Sequence, residues 1–124
     1  MIVLDEQLND AQIARDIARW YKGAVINILQ LRPHTRIFDD AIPTLLRTIK
    51  QPIFVTINYT DFWKVAPASN NYCIICFKLS ANEMYLISEL LRRVFSLEEF
   101  RTKRSRMGAV VSVRGKSLQT YRAS

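Results

Sequence analysis

Short apolar runs separated by stretches of helical periodicity constrain this chain more than any other feature. Apolar residues dominate 2–4, 24–28, 53–57 and 72–77, each run having the length of a strand buried on both faces. Between the first two runs Ile13, Ile17, Trp20 and Tyr21 recur at helical spacing, and between the second and third Ile42, Leu45, Leu46 and Ile49 do the same. Strand, helix, strand, helix, strand is the order of parallel strands joined by crossover helices. The chain is therefore expected to be α/β, a mostly parallel sheet with helices on both faces.

Local signals set the expected boundaries. Gly23 stands where a left-handed cap would close the first helix, and Pro43 fits the first turn of the second. Residues 58–61 read as a turn. Ser80 with Glu83 and Ser96 with Glu99 both have the spacing of a capping box, and Met84, Ile87, Leu91 and Val94 give the helix after the first box a buried face. Residues 109–113 and 118–121 read as a hairpin turning near Gly115. No repeat or linker divides the 124 residues, so one domain is expected, with a core over about 1–95 and a basic extension, helix plus hairpin, over 96–124.

Composition excludes several classes. No apolar run approaches the roughly 20 residues that cross a bilayer, and the opening 1–6 reaches Asp5 and Glu6 without a basic leader, so a cytoplasmic location without membrane association is the expectation. Cys73 and Cys76 lie three apart in one buried strand run, where they point to opposite faces and cannot share a ligand. The net charge of +7 is concentrated: residues 1–91 carry nine basic and nine acidic groups, while 92–124 carry nine basic groups against Glu98 and Glu99, which gives 9 − 2 = +7.

The acids fall where an open parallel sheet places its ligands, outside the carboxyl ends of the strands. Asp5 and Glu6 end the first strand, Asp39 and Asp40 open the helix after the second, and Asn58 and Asp61 follow the third. Taken singly, Asp39 or Asp40 reads as a helix cap and Asp5 or Asp61 as a turn former. Together they form an oxygen-rich set suited to a hard divalent cation, Mg2+ or Mn2+, and to phosphodiester hydrolysis.

The segments 4–8, 39–42 and 56–62 together resemble a minimal PIN-like domain, the fold of many toxin ribonucleases. That resemblance covers roughly residues 1–95. It implies a metal-dependent endoribonuclease with Asp5, Asp40 (or Asp39) and Asp61 as catalytic acids. It further implies Glu6, Asp39 and Asn58 as members of the metal set, RNA as substrate, an antitoxin protein as partner, and a homodimer. Asn58 departs from the pattern, which usually has Asp there, and the gap to Asp61 is one residue longer than usual. A catalytically degenerate RNA- or protein-binding module on the same fold is the alternative. A phosphoacceptor receiver domain also has acids after its first strand, but it needs Asp where Asn58 stands.

Arg101, Lys103, Arg104 and Arg106 lie close enough in sequence to form a phosphate-binding patch that would hold RNA beside the acids, and Arg32 and Arg36 form a weaker candidate. A solvated helix face accounts for the same cluster equally well. His34, the single histidine, lacks a nucleophile near it in sequence. Phe62 and Trp63 are candidates for base stacking, or for sealing the edge of the core.

Overall fold

The computed structural model describes residues 1–31 and 39–124, and Arg32, His34 and Arg36 lie outside the described residues. Among the described residues six strands form one sheet: β1 (Ile2–Leu4), β2 (Val25–Asn27), β3 (Ile53–Thr56), β4 (Cys73–Phe77), β5 (Ala109–Arg114) and β6 (Ser117–Arg122). Their order is β2-β1-β3-β4-β5-β6. The first five run parallel, and β6 returns antiparallel to β5 along one edge. The chain is thus α/β with a mostly parallel sheet, and β5, assigned to a tail by sequence, is an integral strand packed beside β4.

Two apolar layers cover the sheet. On one face α1 (Ala11–Ala18) and α4 (Ile87–Ser96) bury Ile13, Ile17, Ile87, Leu91 and Val94 against Ile2, Leu4, Val55 and Ile75. On the other, α2 (Ile42–Leu46) and α3 (Tyr59–Phe62) bury Ile42, Leu46 and Phe62 against Val3, Phe54 and Ile74. Successive strand residues alternate between the layers, as the pleat requires. Cys73 accordingly joins the first layer and Cys76 the second, both as free thiols.

Several local expectations are corrected. Gly23 does not adopt a positive φ. A close approach bears on it instead, since a Cβ there would sit 2.7 Å from the Tyr21 ring, which would have to shift. The segment expected as a turn after β3 is the helical turn α3, which carries Asp61 in its first turn. The Ser80–Glu83 capping box is present, whereas Ser96 turns back to donate to the Arg93 carbonyl. The box near the C terminus is made by Thr102 and Ser105, at the start of the four-residue α5 (Lys103–Arg106). Gly115 has φ 57°, as the first central position of a two-residue type II′ turn demands.

Candidate acidic site at the carboxyl edge

The strand order places β1 between β2 and β3. The chain therefore leaves β1 toward one side of the sheet and returns on the other, and the crevice forms outside the carboxyl ends of β1 and β3. Asp5 follows β1 directly and is 2 % exposed. Its Oδ1 accepts from the Glu6 N–H at 2.8 Å and its Oδ2 from the Thr56 hydroxyl at 2.6 Å. Asn27, at the end of β2, donates its side-chain amide to the Asp5 carbonyl at 3.0 Å. Burial raises the Asp5 pKa, the hydrogen bonds from Thr56 and the Glu6 N–H oppose that rise, and the Glu6 charge adds to it.

Thr56 passes the arrangement on to the next turn. Its Oγ1 also accepts from the Asn58 N–H at 2.9 Å. The side-chain amide of Asn58 then donates to Asp39 Oδ2 at 3.0 Å and to Asp61 Oδ2 at 2.8 Å. Residues from three connections thus meet in one hydrogen-bonded chain, Asp5–Thr56–Asn58–Asp39/Asp61. Of the two neighbouring acids, Asp39 is the half-buried one that enters the chain, while Asp40 is exposed and shows no such bond. The capping role is set aside for both, because α2 has Ala41 at its N-cap and no side-chain cap bond.

The charges there are poorly compensated. Asp39 is pushed up to about 6, by burial first, then by its hydrogen bond with Asp61 and by the fields of Asp5, Asp61 and Glu6. The two donor hydrogens of Asn58 lie between the Asp39 and Asp61 carboxylates, the place where positive charge is called for. Among the described residues no three His, Cys, Asp or Glu side chains are grouped to hold a metal ion. The oxygen set here is the two carboxylates of Asp39 and Asp61, with the nitrogen of the Asn58 amide turned toward both. That donor set fits Mg2+ or Mn2+, which bind through one or two carboxylates and keep several waters, better than it fits a caged Ca2+.

A cleft of ≈ 550 Å3 opens beside Asp39 and Asp61 between α2 and α3, with Phe62 and Ala66 on its apolar wall and Arg47 on its rim. Lys78, the residue after β4, lies 5.8 Å from the Tyr59 ring of α3. Among the described residues, Lys78 after β4 and Arg114 at the end of β5 are thus cations of the carboxyl edge, while Arg47 caps the far end of α2, and the charge count along the sequence does not separate them. Phe62 is buried against Phe54, with ring centroids 5.3 Å apart, and is closed to base stacking. Trp63 packs on Tyr59 and Tyr121.

The expected basic patch lies elsewhere. Arg101, Lys103 and Arg104 are exposed and precede the first residue of β5, so they stand at the amino edge of the parallel sheet. At about 3.3 Å per residue, a sheet's length of roughly 15 Å separates that edge from the acids. Consistent with this, Lys103 and Arg106 add to burial in lowering the pKa of the Met1 amino group. Arg106 is no part of a surface patch: it is 8 % exposed, donates to the Phe100 and Arg101 carbonyls at 2.8 and 3.2 Å, and stacks 4.0 Å from the Phe95 ring.

Among the described residues no helix is long and apolar enough to cross a membrane. Comparison with protein-family models, curated proteins and solved structures found no match.

Proposed function

We propose that this chain is a PIN-like ribonuclease acting at the carboxyl-edge crevice, with Asp5, Asp39 and Asp61 as its acids and Mg2+ or Mn2+ as its cofactor. The observation that carries the reading is the hydrogen-bonded chain joining Asp5 to Asp39 and Asp61 through Thr56 and Asn58 at the point where strand order reverses. When bound, the cation supplies charge neutralisation for a phosphate and a water of lowered pKa. The residues of the chain do the rest. Asp5, held on both oxygens, fixes the negative floor of the crevice. Asp39, pushed up to about 6 by burial and its acidic neighbours, is the carboxylate that a bound cation would relieve most. Asp39 and Asp61 offer the oxygens for the cation, which would take the place now held by the Asn58 amide N–H groups, and Arg47 on the cleft rim and Lys78 are cations available to a nucleic-acid backbone.

Calorimetric titration with Mg2+ and with Mn2+, paired with cleavage of a fluorescent single-stranded RNA, tests this. Asp39 is partly exposed, so Asp39→Asn is expected to fold, to lose cation binding and to reduce cleavage by about two orders of magnitude or more. Cleavage by Asp39→Asn at the wild-type rate ends the assignment.

A second reading rests on Asn58. Its amide already satisfies the Asp39 and Asp61 oxygens that a cation would take, as expected of a metal-free binding module on the same fold. Under that reading Asn58→Asp gains cation affinity that the parent chain lacks. Under the first, the parent binds already and the variant binds more tightly.

A further inference from the structure

The two edges of the sheet are unlike. β2, at one end, has three residues, too few to template another strand, whereas β6, at the other, has six and no proline. The Ala123 N–H donates to the Gly108 carbonyl at 2.9 Å, and Ala109 faces Arg122 in the register. Alternation along an antiparallel pair then makes Val110/Tyr121, Ser112/Gln119 and Arg114/Ser117 the hydrogen-bonded pairs. Leu118, Thr120 and Arg122 therefore direct their backbone N–H and C=O groups away from the sheet. Among the described residues no strand pairs with that side.

The surroundings select what can pair there. The side chains of Leu118, Thr120 and Arg122 lie on the face covered by α4, because they oppose Val113, Val111 and Ala109. A groove of ≈ 250 Å3 runs beside Leu118, with Leu90, Val94 and Leu97 completing its apolar wall and Lys116 and Arg93 on the rim, Arg93 being paired with Glu89 at 2.7 Å. Leu97 is 41 % exposed within it. Residues 109–124 carry Arg114, Lys116 and Arg122 and no acid, so a second copy of this edge would bring like charges together. An extended segment of opposite charge would not.

We propose that β6 accepts a seventh strand from an acidic, extended segment of a partner protein. Its backbone pairs with Leu118, Thr120 and Arg122, alternate apolar side chains enter the groove, and its carboxylates, on the opposite face of the sheet, meet the basic end of the hairpin at Arg114 and Lys116. The proposal stands apart from the acidic crevice.

The test uses the full chain and a capped peptide of eight residues alternating glutamate with valine, followed by amide hydrogen exchange. Bound peptide is expected to protect the Leu118, Thr120 and Arg122 amides, while those of Ser117, Gln119 and Tyr121, already bonded to β5, change little. The counterpart with lysine for glutamate is expected to bind about tenfold more weakly or worse. Thr120→Pro removes one outward N–H without touching the bonds to β5, so it is expected to keep the fold and lose the peptide. Equal binding of both peptides, binding undiminished in Thr120→Pro, or absence of the protection pattern overturns the proposal. Concentration-dependent protection of the same amides without peptide also overturns it, by making a second copy the occupant.

Discussion

Thr56 shows how one hydroxyl can hold a site together. It is fully buried at the end of β3, donates to Asp5 and accepts from the Asn58 N–H. Thr56→Val keeps the shape and removes both roles, which strands a buried carboxylate oxygen and a backbone donor. Such losses cost on the order of 1–3 kcal/mol, and denaturant unfolding is expected to show a drop of that size. Asp39 gives a pH signature. Its folded pKa, about 6, is raised above the unfolded value, so its contribution to stability is fully present below the unfolded pKa and is lost as pH rises through about 6. Metal-free protein is expected to lose stability over that window, and Asp39→Asn to remove this component, in unfolding curves recorded from pH 4 to 8. The acids were legible as residues that follow strands. Thr56 and Asn27 were not, because a polar residue closing an apolar run carries no sign of which distant carboxylate or carbonyl it will meet.

At the scale of elements, strand positions were readable from apolar runs, and helix ends were less so. The reason is visible at Gly23 and Ser96. A glycine after a helical pattern suggests a left-handed cap, yet here the constraint is the Tyr21 ring folding back over the backbone. Tyr21 in turn meets Phe95 edge to face, with ring centroids 6.2 Å apart. Gly23→Ala is expected to displace the Tyr21 ring and cost about 0.5–1.5 kcal/mol, the usual worth of an aromatic pair, and thermal unfolding of the Gly23→Ala and Tyr21→Ala single and double variants checks whether the two losses are one. Ser96 could have capped forward to Glu99 but bonds back to Arg93. Sequence spacing alone does not decide between those two local partners. α3 was hidden because four residues are too few to show a period.

The whole molecule decides what its charge means. The sequence locates the +7 excess in residues 92–124, but only the topology assigns Arg101, Lys103 and Arg104 to the amino edge and Lys78 and Arg114 to the carboxyl edge. If RNA is engaged at the acids, Lys78→Gln is expected to weaken binding and lower its salt dependence by about one phosphate contact. The triple change of Arg101, Lys103 and Arg104 to Gln is expected to leave crevice binding nearly unchanged, and binding isotherms at several salt concentrations separate the two. The same view of the molecule gives Cys73 and Cys76 a further meaning. Each thiol is held at about 12, chiefly by burial, and each belongs to a different apolar layer. A thiol reagent added to the native protein therefore waits on structural opening, and variants that keep one cysteine at a time would time the loosening of the α1–α4 layer and of the α2–α3 layer independently. One pleated strand thus provides a separate clock for each side of the sheet.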